Sequence, residues 1–356
     1  MPKNNLNLKN LSWEEFYKTP LNKKLKYFSD DKNLFDCLFS QQFDRKSLDR
    51  FFTLATKIRT IAKNKEGLDW LQTLLSNKRA ILYFIQPSTR TFLSFQSACY
   101  ILGMKVSEIR STSTSSELKG ESPEDTVRTF SSYTDLIIMR HFEEGFAEKT
   151  AWLLNKTKRP VPVINGGSGK DQHPTQALLD LYTLNWAFND KGGIDNKTIA
   201  MVGDLKRGRT VRSLTYLLTN YKNVKFVYVS PDYLKIGDDI KQFLKKHKMK
   251  YFETDNMQKA IKTVDAIYMT RIQDEYDINN ESKEIDYSKF HLKKEHLKLI
   301  KKNAIIMHPL PRRMEIDAAI DDDPRAMYWR QERNGMWMRA ALIAHIFKVE
   351  NVILNY

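Results

Sequence analysis

Residues 81–95 read Ile81-Leu-Tyr-Phe-Ile-Gln-Pro-Ser-Thr-Arg-Thr-Phe-Leu-Ser-Phe95, and they predict a strand, a turn and a helix in direct succession. The apolar, β-prone run up to Ile85 predicts a buried strand, and Pro87 ends it because proline cannot donate to a strand ladder. Apolar residues then recur at helical spacing up to Gly103, which is a suitable helix stop. A strand that leads directly into a helix is typical of a parallel α/β sheet.

The turn in this segment, Ser88-Thr-Arg-Thr91, places three hydroxyl groups and a guanidinium at the start of the helix. A helix N-terminus has partial positive charge, and arginine adds a bidentate donor, so the turn suggests a phosphate site. For the turn alone, however, an ordinary Ser/Thr N-cap with a surface arginine is the better interpretation. The phosphate hypothesis therefore depends on the rest of the chain.

The composition is that of an ordinary globular protein. The chain has 356 residues, of which 41% are hydrophobic and 28% charged, and this length suggests two domains. The formal net charge of +15 would suit nucleic-acid binding, but the excess lysines are scattered among acidic residues, and the sequence has no RNP or zinc-finger motif. We expect no nucleic-acid partner and expect the basic field to attract small anionic substrates.

The sequence also bears on location. It has no apolar run long enough to cross a membrane, and its first residues, Met1-Pro-Lys-Asn-Asn-Leu6, lack the apolar core of a signal peptide. No arginine precedes Arg45, which argues against a transit peptide. Cys37 and Cys99 lie far apart and have no metal or redox spacing. We predict a cytoplasmic protein with no membrane partner.

Strand and helix patterns alternate on both sides of a break at Asn189-Asp-Lys-Gly-Gly193. Two such runs predict an α/β protein with two doubly wound parallel-sheet domains. The expected domain limits are 1–35 for an N-terminal extension, 36–189 with the C-terminal helix 330–356 for the first domain, and 190–329 for the second.

The expected elements follow from hydrophobic periodicity and from helix-capping residues. Strands are expected at residues 81–85, 135–140, 161–165, 198–203, 225–230, 250–254, 266–270 and 304–308. Helices are expected at residues 13–17, 47–64, 92–102, from 123 onward, 145–155, 174–188, 210–220, 238–246, 257–263, 292–302 and 337–349.

Polar residues concentrate just after the expected strands, where ligands of parallel sheets bind. These segments are Arg140-His141, Gln172-His-Pro-Thr-Gln176, Asp204-Leu-Lys-Arg-Gly-Arg-Thr210, Thr270-Arg-Ile-Gln273 and His308-Pro-Leu-Pro-Arg312. A single histidine before proline is more often structural, and a single arginine after a strand usually lies at the surface, but five such strand ends rarely coincide. Together they predict a site for a ligand rich in phosphate and carboxylate groups.

Six motifs resemble the catalytic chains of the aspartate/ornithine carbamoyltransferase family. They are Phe84-Ile-Gln-Pro-Ser-Thr-Arg-Thr91, Met139-Arg-His141, His173-Pro-Thr-Gln-Ala-Leu-Leu-Asp180, Met201-Val-Gly-Asp-Leu-Lys206, Tyr268-Met-Thr-Arg-Ile-Gln273 and His308-Pro-Leu-Pro-Arg312. The resemblance runs from about Ser40 to the C-terminus in the family's order. The last two motifs are similar to the aspartate branch, because the ornithine branch typically has Cys in its His-Cys-Leu-Pro.

The resemblance implies a function and an architecture. The reaction would transfer the carbamoyl group of carbamoyl phosphate to the amine of L-aspartate, giving N-carbamoyl-L-aspartate and phosphate in de novo pyrimidine (UMP) biosynthesis, with no metal or cofactor. Interdomain helices would join the two domains, with the active site in the crevice between them. Two alternatives stay open: a carbamoyltransferase for a different amino acid, and a non-catalytic trimeric paralogue. A Rossmann-type dinucleotide protein is excluded because residues 203–208 lack the Gly-x-Gly-x-x-Gly spacing.

The resemblance also implies residue roles. The phosphate would be held by Ser88, Thr89, Arg90, Thr91 and Arg140. The carbamoyl oxygen would be contacted by Thr91, Arg140 and His173, and the carbamoyl nitrogen by Gln176 and the segment Pro309, Leu310 and Pro311. Aspartate would be bound by Lys119, Arg209, Thr210, Arg271 and Gln273. The catalytic residues would be Arg90, Thr91, Lys119, Arg140 and His173.

Assembly is implied in the same way. Ser115 and Lys119 match residues that the family supplies from the neighbouring subunit, so the resemblance implies a homotrimer with shared active sites. Regulatory subunits are possible partners, and the sequence leaves their presence open.

Five residues depart from the family pattern. Gln86 and Tyr276 replace a usual Glu and Arg that join an ion-pair network favouring the closed state, and because both are changed, neither loss leaves the other charge unpaired. Phe92 replaces a usual Arg, Phe142 a usual Pro and Asp274 a usual Lys. None of these positions is a primary ligand contact, so we expect retained activity with domain closure held differently.

Overall fold

The computed structural model describes residues 10–30, 33–111, 120–169, 172–272 and 287–356. The chain divides into two compact units: unit 1 comprises residues 1–175 and 335–356, and unit 2 comprises residues 176–334. Each unit contains one parallel sheet, so the predicted α/β fold with two parallel-sheet domains is confirmed. The predicted domain limits, the extension at 1–35 and the location of the site in a crevice stay predictions.

The regular elements of the described residues are numbered in chain order. The strands are β1 (Ser29–Asp30), β2 (Asn33–Leu34), β3 (Arg79–Phe84), β4 (Lys105–Ile109), β5 (Leu136–Arg140), β6 (Val163–Asn165), β7 (Thr198–Val202), β8 (Lys225–Val229), β9 (Lys250–Thr254), β10 (Ala266–Met269) and β11 (Ile305–Met307). The α-helices are α1 (Trp13–Lys18), α2 (Leu21–Tyr27), α3 (Arg45–Ile61), α4 (Lys65–Thr73), α5 (Thr89–Ile101), α6 (Pro123–Tyr133), α7 (Phe146–Leu154), α8 (Pro174–Phe188), α9 (Arg209–Leu218), α10 (Asp238–Lys246), α11 (Met257–Ile261), α12 (Tyr328–Ile346) and α13 (Glu350–Leu354).

The strand order places one topological switch point in each sheet. In unit 1 the order is β4-β3-β5-β6, and in unit 2 it is β11-β10-β7-β8-β9, with all neighbours parallel. The chain moves outward from β3 to β4 and returns to the other side at β5. It likewise moves outward from β7 and returns at β10. Because ligands of open α/β sheets bind beyond the carboxyl ends of such strand pairs, the ends of β3 and β5 and of β7 and β10 are the expected binding positions.

The inner strands form from apolar runs that are covered on both faces. All five residues of β5 (Leu136-Ile-Ile-Met-Arg140) are buried, as is usual for an inner strand of a parallel sheet. β4 was not predicted from the sequence. Its residues Lys105, Ser107 and Glu108 give no apolar run, and the strand lies at the sheet edge with no fully buried residue. Edge position therefore explains why the hydrophobic pattern missed it.

Several helix predictions also need correction. α2, α4 and α13 were not predicted, and residues 292–302 form a short 3-10 helix, Lys294–Leu299, rather than the predicted α-helix. The main chain of Leu292 pairs with a neighbouring segment as an isolated β-bridge. The Arg325 guanidinium donates to the carbonyl oxygen of Ile300 at 2.9 Å. Tertiary partners therefore bind backbone groups that an α-helix would need.

The chain termini pack into unit 1. Residues 13–17 lie in α1, as predicted, and Phe16 and Phe28 are completely buried in the hydrophobic core beside the sheet. Lys24 pairs with Glu148 at 2.7 Å, and both side chains are almost fully buried. The C-terminal helix predicted at 337–349 is confirmed but begins earlier, in α12. The N-terminal segment therefore contributes to the unit 1 core.

Candidate active site

The N-terminus of α5 follows β3 directly. Ser88 is the N-cap and Thr89, Arg90 and Thr91 form the first turn, as the sequence predicts. The Ser88 side chain makes no capping hydrogen bond. By contrast, the side chains of the other short polar N-cap residues described do accept from their own helices; these residues are Ser12, Asp44, Asn64, Ser122 and Asn256. The turn therefore has a serine N-cap without the usual capping bond, and the arrangement suits an external anion.

The end of β5 lies beside this turn. Arg140 is the last residue of β5 and is 9% exposed. Its carbonyl oxygen accepts from the backbone N–H of Gln86 at 3.1 Å, which ties the segment after β3 to the end of β5. Its Nη1 donates to the carbonyl oxygen of Gly166 at 3.3 Å. The guanidinium is therefore held at the carboxyl edge of the sheet.

The loop after β6 brings a histidine to the same place. The Asn165 side chain accepts from the N–H groups of Gly167 and Ser168, each at 2.8 Å, and so shapes the loop. Gly167 has φ +98°, and a Cβ atom there would lie 2.9 Å from His173 Nε2 and 3.0 Å from Arg140 Nη1. These two nitrogen atoms therefore lie close together beside Gly167.

Two residues near this point have roles that the sequence did not reveal. Asn165 was not singled out, although an Asn that follows an apolar strand and precedes two glycines is a signal for loop shaping. His141, one of the strand-end polar residues, is 3% exposed, packs against the Phe146 ring and accepts from the Glu143 N–H through Nδ1. Burial lowers the pKa of His141 to about 4, so this histidine is neutral and supports packing.

In unit 2, α8 presents Gln176 and Asp180 one helical turn apart. Asp180 is completely buried. Its Oδ1 accepts from Gln176 Nε2 at 2.8 Å and from Gln331 Nε2 at 2.7 Å, and its Oδ2 accepts from the Tyr268 hydroxyl at 2.6 Å. Burial raises the pKa of Asp180 to about 7, although these hydrogen bonds lower it in part. We call Asp180, Gln176, Tyr268 and Gln331 the Asp180 cluster.

Two arginines that the resemblance assigns to aspartate binding follow β7 and β10, which are neighbouring strands. Arg209 is the first residue of α9, and Arg271 lies just past the end of β10. The two strand ends approach so closely that a Cβ atom on Gly203 would overlap the carbonyl oxygen of Thr270. Both arginines are half-buried. The switch point of unit 2 therefore places two cations at one sheet edge.

The His308 loop follows β11, the next strand of the same sheet. His308 Nε2 lies 2.8 Å from a Glu315 carboxylate oxygen, and His308 Nδ1 accepts from the Leu310 N–H at 2.7 Å. The ring therefore has its proton on Nε2 and donates it to Glu315. The His308 main-chain N–H donates to the Gln331 side-chain oxygen at 3.0 Å.

The predicted site residues thus fall into three groups. Those in unit 1, at the ends of β3, β5 and β6, are Ser88, Thr89, Arg90, Thr91, Arg140 and His173. Those in unit 2 are Gln176, Arg209, Thr210, Arg271, Leu310 and Pro311. Ser115, Lys119, Gln273, Asp274 and Tyr276 lie outside the described residues. The roles assigned to all of them stay predictions.

The described ranges contain no cluster of metal-ligating side chains and no helix suited to crossing a membrane. Within them, no group of three or more His, Cys, Asp or Glu side chains is placed to hold a metal ion. In the same part of the chain, no helix is both long and apolar enough to cross a membrane.

Comparison with known families identifies the class of protein. Residues 36–185 match the carbamoyl-P binding domain of aspartate/ornithine carbamoyltransferases, and residues 195–346 match the Asp/Orn binding domain. The chain belongs to the aspartate/ornithine carbamoyltransferase family.

The similar proteins belong to the aspartate branch of the family. The chloroplastic aspartate carbamoyltransferase of Arabidopsis thaliana is 43% identical over 312 residues, which is 87% of this chain and 77% of the relative. The aspartate carbamoyltransferase catalytic subunit of Clostridium novyi is 41% identical over 319 residues, which is 90% of this chain and 99% of the relative.

Solved structures agree with these relatives. Aspartate transcarbamoylase from Trypanosoma cruzi, in complex with carbamoyl phosphate and aspartate, superposes with a TM-score of 0.77 at 32% identity over 86% of this chain and 95% of that one. The catalytic subunit of the M. jannaschii enzyme gives a TM-score of 0.76 at 36% identity over 89% and 99%. The resemblance seen in the sequence motifs is therefore confirmed.

Proposed function

We propose that the chain transfers the carbamoyl group of carbamoyl phosphate to the amine of L-aspartate, giving N-carbamoyl-L-aspartate and phosphate in de novo pyrimidine biosynthesis. The main observation is that Arg140 Nη1 and His173 Nε2 lie 3.0 and 2.9 Å from one point beside Gly167, the position that a Cβ atom would take. Two nitrogen atoms this close to one point suit an oxygen that becomes negatively charged during acyl transfer. The relatives named aspartate carbamoyltransferase support the same conclusion.

The reaction needs orientation and charge stabilisation rather than a covalent nucleophile. The aspartate nitrogen attacks the carbamoyl carbon and forms the new C–N bond. The bond from that carbon to the phosphate oxygen then breaks, and its electron pair leaves with the phosphate. The amine proton passes to the leaving phosphate. Arg90 and the N–H groups of the first turn of α5 would stabilise the phosphate, while Arg140 and His173 would stabilise the carbamoyl oxygen.

The acceptor side of the reaction depends on the two arginines of unit 2. Arg209 and Arg271 would each bind one carboxylate of aspartate, which is a natural use of the bidentate guanidinium. Their position at the β7 and β10 ends supports this assignment. Lys119 and Gln273 are proposed for the same substrate from the sequence resemblance.

A direct assay tests the function. The purified chain is incubated with carbamoyl phosphate and either aspartate or ornithine, and the carbamoylated product is identified by mass spectrometry. We expect N-carbamoyl-L-aspartate and no citrulline. If aspartate gives no product and another amino acid does, the chain is a carbamoyltransferase for that amino acid; if none reacts, the non-catalytic alternative holds.

Assembly and location are further proposals. We propose a homotrimer in which Ser115 and Lys119 complete the site of a neighbouring subunit, because both match family residues with that role. Inactive Lys119→Ala and Arg90→Ala chains should then regain activity when they are mixed, and continued inactivity would contradict shared sites. A cytoplasmic location is proposed from the sequence, and the buried, unpaired Cys37 and Cys99 suit a reducing compartment.

A further inference from the structure

The Asp180 cluster fixes which end of the Gln176 amide faces Asp180. Gln176 Nε2 lies 2.8 Å from Asp180 Oδ1, and two further donors, from Gln331 and Tyr268, occupy the same carboxylate at 2.7 and 2.6 Å. Above its pKa of about 7, Asp180 is an ionised carboxylate, which can only accept hydrogen bonds. Gln176 then turns its NH₂ group toward Asp180, and its carbonyl oxygen faces away from this carboxylate.

Gln331 extends the same hydrogen-bond chain to the His308 loop. Its NH₂ group donates to Asp180, and its oxygen accepts from the His308 main-chain N–H at 3.0 Å. Because both ends of this amide are bound, its orientation is fixed as well. His308 Nδ1 then accepts from the Leu310 N–H at 2.7 Å. One buried carboxylate is therefore linked both to the Gln176 side chain and to the Leu310 backbone.

We infer that Asp180 is a positioning residue that sets the polarity of the carbamoyl-nitrogen subsite, by holding Gln176 with its carbonyl oxygen toward the ligand. This inference rests on the proposed function and on the sequence resemblance, which implies that Gln176 and Leu310 contact the carbamoyl nitrogen. A carbonyl oxygen accepts a hydrogen bond from an NH₂ group but gains nothing from a methyl group. The subsite thus selects carbamoyl phosphate over an acyl phosphate that has no amine.

Acetyl phosphate provides the matched probe, because a methyl group replaces the amine and the phosphate is unchanged. Dissociation constants for the two ligands are measured by ligand-induced thermal stabilisation, which does not require turnover. The ratio of the acetyl phosphate constant to the carbamoyl phosphate constant reports the preference for the amine. In Asp180→Asn an NH₂ group replaces one carboxylate oxygen and the negative charge is lost, so three donors surround a single amide oxygen and the contact that orients Gln176 weakens.

We expect Asp180→Asn to lower this ratio about tenfold, chiefly through weaker carbamoyl phosphate binding. Gln176→Ala should lower the ratio to a similar extent. Because Asp180 acts through Gln176, adding Asp180→Asn to Gln176→Ala should change the ratio by less than about twofold. The inference is overturned if the ratio in Asp180→Asn stays within about twofold of the wild-type ratio. It is also overturned if the effects of the two substitutions on the ratio add fully in the double variant.

Asp36→Asn is the matched control. Asp36 is also completely buried and also accepts from a side-chain amide, Asn155 Nδ2 at 2.8 Å, but it lies in unit 1. Its substitution should leave the ratio unchanged. If Asp180→Asn fails to fold, Asp180→Glu keeps the charge but moves the acceptor away from Gln176, and it should lower the ratio about threefold; an unchanged ratio there also refutes the inference. A wild-type chain that binds both phosphates but makes no carbamoylaspartate refutes only the proposed function.

Discussion

Gly167→Ala tests whether the convergence of Arg140 and His173 is what makes the site work. A Cβ atom at Gly167 would lie 2.6 Å from His173 Cδ2, 2.9 Å from His173 Nε2 and 3.0 Å from Arg140 Nη1. Carbon atoms pack at about 3.5 to 4.0 Å. The imidazole must therefore move away by roughly 1 Å, and the guanidinium must shift with it.

A displacement of this size has a predictable effect on rate. Misplacing a reacting group by about 1 Å can cost about a hundredfold, and removing one oxyanion donor costs about 10²- to 10³-fold in kcat. We expect kcat for carbamoylaspartate formation to fall about 10²-fold or more in Gly167→Ala. The φ of +98° adds a separate cost of about 1–2 kcal/mol in the free energy of unfolding, because a residue with a Cβ atom is strained there.

Gly192→Ala separates the two effects. Gly192 also has a positive φ, +81°, but a Cβ atom there would meet nothing within 4 Å. Both variants should lose similar stability in chemical unfolding, whereas only Gly167→Ala should lose kcat. If Gly167→Ala keeps a wild-type kcat while its stability falls as in Gly192→Ala, Arg140 and His173 do not act from the positions described.

Three other perturbations test the packing and the departures from the family pattern. Burial raises the pKa of Asp36 to about 7, so the folded state binds this proton more tightly than the unfolded state. The stability that Asp36 contributes to the wild type is therefore lost as pH rises through 7. Asp36→Asn has no such proton, so its free energy of unfolding should rise relative to that of the wild type by up to about 4 kcal/mol between about pH 4 and pH 8. If the free energies of unfolding of the two proteins change with pH in the same way, this prediction is wrong. Lys24→Met should cost about 3–5 kcal/mol because it leaves Glu148 buried without its partner, and Lys24→Met/Glu148→Leu should recover most of that loss in urea unfolding. Gln86→Glu should change the KM for aspartate little, since the usual Arg is replaced by Tyr276; a large gain in affinity would refute this.

The strand ends could be predicted from the sequence because parallel sheets have a simple physical rule. Each inner strand is an apolar run covered on both faces, so the first polar residue after it marks the sheet edge. Arg140 directly ends such a run, and Arg271 follows another. Their positions depend on local pattern alone, and the structure places both where the pattern indicated.

The Asp180 cluster could not be predicted because its bonds join distant parts of the chain. Tyr268 is 88 residues from Asp180, and Gln331 is 151 residues away. In the sequence, Asp180 is an acidic residue in a helix, which usually points to solvent. Only the folded arrangement shows three donors around a buried carboxylate.

Phe92, which departs from the family pattern, lies beside the guanidinium of Arg110. Where the family usually has Arg, this chain has a phenylalanine that is 3% exposed and packs edge-on against Phe84 at 5.5 Å. The Arg110 guanidinium lies over its ring, 4.6 Å from the centroid. A cation–π contact of this kind stabilises a positive charge beside an aromatic face. A positive charge therefore lies over the ring of Phe92, although the usual Arg is absent at that position.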